Sequence, residues 1–124
     1  TAAALFPEAD IEIVEYHHNQ KLDVPSGTAL MLARQIKSVR KNAVFNIGRH
    51  EHGVRTSDEI GIHSLRMGSE VGTHEIFIHT ANECITLTHK TFSRSVFADG
   101  ALKAAAFIAG RKPGLYSMKD LFEG

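Results

Sequence analysis

The densest chemistry in the chain lies in the window Glu15-Tyr16-His17-His18-Asn19-Gln20-Lys21-Leu22-Asp23-Val24-Pro25-Ser26-Gly27-Thr28. Histidines titrate near neutrality and can give or take a proton. Lys21, four residues on from His17, is a compact cation able to fold back toward the pair. Ser26-Gly27-Thr28 then opens a helix, whose free N–H groups and positive dipole end suit an anion. Gly27 lets a ligand come close to the backbone. A carboxylate held by the Gly27 and Thr28 amides, with Lys21 and a histidine beside it, makes a coherent site for an acidic small molecule. Each part also has a plainer reading. Paired histidines at a strand end are often surface residues, and Ser-Gly-Thr before a helix is an ordinary cap. Asp23 either orients Lys21 or caps the turn. The conjunction of all these groups in one short window is what favours chemistry.

These groups need elements to position them. Ile11, Ile13 and Glu15 alternate with Glu12, Val14 and Tyr16, a period of two that predicts a strand over about 10–17, with both histidines at its end. Pro25 sets an extended approach, and Ser26 or Thr28 caps the helix that follows. Ala29, Leu30, Ala33 and Ile36 recur at helical spacing and carry it over about 27–40. Arg34, Lys37 and Arg40 fall toward its C-terminal end, where the dipole favours cations. Residues 1–9 read as the end of a short Ala-rich helix. Over residues 41–59 the signal thins. Val44, Phe45 and Ile47 leave room for a short strand, and residues 48–58 form a polar, mobile-looking loop of the kind that is functional or disordered. Strand patterns return at about 60–67, 73–80 and 83–90, the last two joined at Ala81-Asn82 as a hairpin. Residues 93–109 form an Ala-rich helix with Phe97, Ala101, Ala104 and Ile108 on one face. Gly110 is its C-cap, and a terminal turn follows over 115–122. The order predicts an α+β fold: an open mixed sheet of about four strands, with helices on one face.

Composition narrows the function classes. The 124 residues are 43% hydrophobic and 23% charged, one globular domain's worth or a piece of a larger protein, and this mix excludes a disordered tail. No apolar run is long enough for a membrane span or a signal peptide. Fourteen basic and fourteen acidic residues cancel, with no basic stripe, which argues against nucleic acid as a partner. A lone Cys84 cannot form an internal disulfide, in keeping with a reducing, cytoplasmic compartment. Eight histidines are the one unusual count. The chain opens Thr1-Ala2-Ala3-Ala4 with no initiator methionine, which reads as an excised segment.

The motif Glu15-x-His17-His18-x-x-Lys21-x-Asp23-x-Pro25-Ser26-Gly27-Thr28-Ala29 resembles the signature of the dihydrodipicolinate reductases. The likeness continues through Ile60-Gly61, Ser64-Leu65-Arg66-x-Gly68, Val71-Gly72-x-His74 and Leu87-Thr88-His89-Lys90. It resumes in Ser93-Arg94-x-x-Phe97-Ala98-x-Gly100-Ala101 and Lys112-x-Gly114-Leu115-Tyr116-x-Met118-x-Asp120. Val24 stands where the family often has Ala. The family's chains begin with a dinucleotide-binding domain, and no G-x-G-x-x-G occurs here. The resemblance therefore implies that residues 1–124 are the C-terminal substrate and tetramerisation domain, with about 93–124 normally returning to the nucleotide domain. It implies His17 as proton donor, Lys21 as its catalytic partner, and His18, Gly27, Thr28 and Arg94 as substrate ligands. The implied reaction is reduction of 4-hydroxy-tetrahydrodipicolinate, a cyclic dicarboxylic imine, in lysine and diaminopimelate biosynthesis. NADPH or NADH would be bound mainly by the other domain. A noncatalytic, oligomeric dicarboxylate-binding module of the same fold is the alternative, although such a module has no need of His17 in addition to Lys21 and the amides.

The remaining features read as structure. His50-Glu51-His52 lacks further ligands at usable spacing, so no metal is expected. His63, His74, His79 and His89 fall in strands and are read as hydrogen-bonded sheet residues. Cys84, with no basic neighbour in sequence, is read as a buried, inert thiol. Ile76 and Ile78 alternate with Phe77, while Ile85 and Leu87 alternate with Cys84 and two threonines. Both faces of these strands therefore look partly apolar. A symmetric partner sheet is the expected cover for the face opposite the helices.

Overall fold

The period-two segment forms β1 (Asp10–His17). In the computed structural model, which describes residues 2–123, Ile11, Ile13 and Glu15 lose all solvent contact on one face of the sheet. Glu12, Val14 and Tyr16 point to the other, as alternation along a strand requires. Around β1 the chain runs α1 (Ala2–Leu5), β1, α2 (Gly27–Val39), β2 (Val44–Ile47), β3 (Glu59–Arg66), β4 (Gly72–His79), β5 (Cys84–Thr91), α3 (Ser95–Ile108) and α4 (Met118–Glu123). The short stretch at Val44 does join the sheet, so the strands number five rather than about four, in the order β2-β3-β1-β4-β5. β1 lies at the centre, parallel to β3 and antiparallel to β4, and β2 is parallel to β3. The β4–β5 connection turns over residues 80–83, with the Thr80 amide donating to the Glu83 carbonyl at 2.8 Å.

α2 and α1 cover one face. Ala29, Ala33 and Ile36 of α2 meet Ile11, Ile13, Ile60, Ile62 and Ile78 of the sheet in a single core. The two alanines let the helix lie close to the strands. Each fully buried isoleucine contributes about 2–3 kcal/mol of hydrophobic stabilisation. Arg40, expected to serve the end of its own helix, instead donates to the carbonyls of Ala3, Phe6 and Ala9 and so ties α1 and the start of β1 to α2.

Residues 48–58 cross the sheet because β2 and β3 are adjacent and parallel, so the chain must travel back one strand length between them. Two of the loop's arginines are anchored on the sheet. Arg49 donates to Glu12 at 2.6 Å and to Glu59 at 2.5 Å, and Arg55 pairs with Asp10. Glu12 also accepts from His63 at 2.7 Å. The face opposite the helices is accordingly more polar than expected: Val14, Leu65 and Phe77 share it with Glu12, His63 and Glu75. Cys84 is exposed, a correction to the buried thiol expected from sequence. Ile85 takes the inward phase of the edge strand β5, which turns Cys84 away from the core.

The chain divides into two compact units, residues 1–90 and 91–124. The second holds α3, which begins at Ser95, and α4, which replaces the expected terminal turn. Phe107 and Tyr116 meet edge to face at 6.0 Å, with the Arg111 guanidinium 3.8 Å from the Phe107 ring centre. No residue of α3 is buried. Among the described residues, no helix is long and apolar enough to cross a membrane.

Candidate functional site

His17 closes β1 on the same face as Glu15, two residues back, and its Nδ1 lies 2.5 Å from Glu15 Oε2. Sheet register brings in the rest. Arg66 is the β3 partner of His17, while Ser64 and His74 flank Glu15 from β3 and β4. Arg66 forks onto Glu15, Nη1 to Oε2 at 2.8 Å and Nη2 to Oε1 at 2.7 Å. The Ser26 amide, at the mouth of α2, donates to Oε1 at 3.1 Å. Glu15 is 0% exposed. Burial alone would raise its pKa. The neighbouring polar groups, Arg66 foremost, then Ser64, His17 and the Ser26 amide, outweigh it and hold the carboxyl down at about 2.

Ser26 caps α2 through the Ala29 amide at 3.2 Å, and its Oγ also meets His74 Nε2 at 3.0 Å. The His74 ring stands edge-on to His17 with centroids 5.2 Å apart. Burial, reinforced by the neighbouring charge of His17, pushes the His74 pKa below its ordinary value. The Ser26 hydroxyl claims the Ala29 amide and its carbonyl the Leu30 amide. That leaves the exposed Gly27 and Thr28 amides available to an anion. A Cβ on Gly27 would meet nothing within 4 Å, so the approach to these amides is open.

Lys21 Nζ pairs with Asp23 Oδ1 at 2.7 Å, the contact that an orienting role for Asp23 requires. The charge of Lys21, like that of His17, bears on the His74 ring and helps to lower its pKa. His18 follows His17 and is half-buried, its carbonyl accepting the Lys21 amide at 3.2 Å. Arg94 belongs to the second unit, at the N-cap of α3, where its side chain makes no capping bond. In the first unit the Glu15–Arg66 pair, given no role in the reading of the sequence, joins His17, the start of α2 with Gly27 and Thr28, and the turn that carries Lys21, whereas His18 is tied in only through its backbone. The available signal was a carboxylate in the buried phase of a strand. His74, read as a sheet residue, does hold a structural bond, and holds it at the rim of this site.

A separate hollow of about 480 Å³ lies along β2 and the 48–58 loop, but the Arg49 and Arg55 side chains that line it are engaged with carboxylate or carbonyl partners, and the Glu59 carboxylate accepts from Asn46 and Arg49. His50 and His52 lie there too, and among the described residues no cluster of three or more side chains could hold a metal.

The family model described as "Dihydrodipicolinate reductase, C-terminus" matches residues 1–122. The chain is 51% identical to the 4-hydroxy-tetrahydrodipicolinate reductase of Clostridium novyi (strain NT) over 123 residues, 98% of this chain and 49% of that protein. It is 50% identical to the enzyme of the same name from Caldanaerobacter subterraneus subsp. tengcongensis over 122 residues, 97% of this chain and 49% of that one. It therefore spans about half the length of the curated relatives it matches. Among solved structures it resembles dipicolinate-bound dihydrodipicolinate reductase from Paenisporosarcina sp. TG-14. The TM-score is 0.72 and the identity 31%, covering 96% of this chain and 46% of that one.

Proposed function

The chain belongs to the dihydrodipicolinate reductase family, as the C-terminal domain, and from that membership we propose that it is the substrate-binding half of a nicotinamide-dependent reductase. The reaction is conversion of 4-hydroxy-tetrahydrodipicolinate to tetrahydrodipicolinate in lysine and diaminopimelate biosynthesis. The observation that carries this reading is the His17–Glu15 contact beside the free helix-end amides. It puts a proton donor next to an anion site, which is what reduction of a dicarboxylic imine requires. One substrate carboxylate sits on the Gly27 and Thr28 amides, and Lys21 and His18 draw in the polar groups around it. Holding the ring at fixed points orients it for reaction. His17, fixed at Nδ1, delivers a proton from Nε2 to the reduced ring.

The residues of this chain fit the dicarboxylate and not a dinucleotide. No G-x-G-x-x-G occurs, and the helix end at Gly27 offers a single short anion site. NADPH or NADH, when bound by the family's nucleotide domain, supplies the hydride. α3 leaves Val96, Phe97, Leu102 and Ile108 exposed, which supports residues 93–124 as the segment that packs on that domain. Arg94, at the head of the same segment, is proposed to meet the substrate there. We place subunit contacts of a homotetramer on the sheet face opposite the helices, where Val14, Leu65 and Phe77 lie. An exposed, unpaired Cys84 supports a reducing, cytoplasmic setting.

Titration of the chain with pyridine-2,6-dicarboxylate, followed by amide NMR, tests the site. Shifts at Lys21, Gly27 and Thr28 are expected, and shifts confined to residues 48–58 would overturn the assignment.

A further inference from the structure

We propose that Glu15 and Arg66 are positioning residues: one buried ion pair sets the tautomer of His17 and holds the three parts of the substrate site in register. The claim rests on His17 being the proton donor, and its geometry is more specific than a structural salt bridge needs. Four donors converge on the two Glu15 oxygens. Oε2 takes Arg66 Nη1 and His17 Nδ1, and Oε1 takes Arg66 Nη2 and the Ser26 amide. Arg66 Nη2 also donates to the Asp23 carbonyl at 2.9 Å. The pair therefore touches the histidine, the start of α2 with its free amides, and the Lys21–Asp23 turn.

Ionised Glu15 can only accept, so a neutral His17 must carry its proton on Nδ1. That is the tautomer left behind when Nε2 has given its proton away. Glu15 thus matches the form of His17 that proton delivery produces. A carboxylate on the far nitrogen of an imidazole plays this part in other acid–base sites. Arg66 keeps the carboxylate charged and aimed, and its fork spends one arm on the turn that carries Lys21.

Glu15→Gln separates this role from plain stability. The glutamine amide group replaces one oxygen. At the Oε1 position it faces two fixed donors, Arg66 Nη2 and the Ser26 amide. At the Oε2 position it faces one fixed donor, Arg66 Nη1, and one group able to switch, the His17 ring. The second arrangement wins, and the amide then donates to Nδ1. We expect the ¹⁵N signature of His17, read in the 124-residue chain at alkaline pH, to invert from the Nδ1–H to the Nε2–H tautomer. In an intact reductase carrying this domain, kcat falls about 10²–10⁴-fold, the scale of lost general acid catalysis, with KM changed no more than about threefold. An unchanged tautomer would overturn the proposal. Should Glu15→Gln fail to fold, Arg66→Lys keeps a cation against Glu15 and loses only the fork. It should keep the His17 tautomer, shift the amides of residues 21–23, and weaken pyridine-2,6-dicarboxylate binding about tenfold, the scale of one hydrogen bond to a charged group. Unmoved amides and unchanged affinity in that variant would also overturn the proposal. An inverted tautomer in Glu15→Gln, with a wild-type chain that never binds the dicarboxylate at Gly27 and Thr28, would uphold the positioning role and sink the substrate assignment instead.

Discussion

A Cβ built on Gly61 would stand 1.7 Å from Oε2 of Glu12, its register partner on β1. The glycine is what allows the Glu12 carboxylate to lie flat across the sheet and reach both Arg49 and His63. Gly61→Ala should lift that carboxylate away. The lost pairs are part-exposed, so the stability loss should be only about 1 kcal/mol by urea denaturation. Hydrogen exchange of the 48–58 amides should nonetheless quicken. Wild-type protection of that loop in the variant would show that Glu12 does not hold it.

Acid should act through Glu15. Its folded pKa, about 2, lies below its ordinary 4.5, so its contribution is complete above the unfolded value and disappears as pH falls from about 4.5 through about 2. The contribution is on the order of 3 kcal/mol. Denaturation midpoints measured across that window should drop more steeply for the wild type than for Glu15→Gln. Parallel curves would mean that Glu15 is not held ionised.

In an intact reductase carrying this domain, His17→Ala should lower kcat by about 10²–10³, the scale of a lost general acid. Lys21→Ala should lower kcat and raise KM. The 124-residue chain alone should not oxidise NADPH with substrate present. Turnover like the wild type's in both variants would remove these residues from the mechanism.

Gly72 lies against His17 from β4: a Cβ there would come 3.2 Å from Nε2. Gly72→Ala should crowd the reacting nitrogen and reduce kcat about tenfold, since small misplacements of a reacting group are costly. Thermal stability and kcat are measured together. A loss of stability with kcat intact would make the contact one of packing alone.

Sedimentation should give a dimer or tetramer, because the proposed subunit contacts lie within the domain described. A mass that stays near the 13.6 kDa of one chain at high concentration would sink this.

Local pattern was enough to place β1, the histidines at its end, and the start of α2 after Pro25. These follow from short-range chemistry: alternation marks a strand, and a serine before a helical repeat tells where the helix begins. Arg66 was out of reach of such reasoning. It stands 51 residues from Glu15, and only the parallel register of β1 with β3 sets it opposite His17. A slip of one residue would turn every β3 side chain to the other face. The anchors of the 48–58 loop were hidden for the same reason. Its polar residues look mobile when read alone, yet their partners Asp10, Glu12 and Glu59 lie on β1 and β3, and the parallel neighbours β2 and β3 oblige the loop to cross them. Cys84 likewise sits in a strand whose outward phase was decided by Ile85 packing inward. Periodicity fixes a side chain's face relative to its neighbours in the chain. Which residues meet it there is set by strand order and register, and those are settled by the packing of the whole sheet.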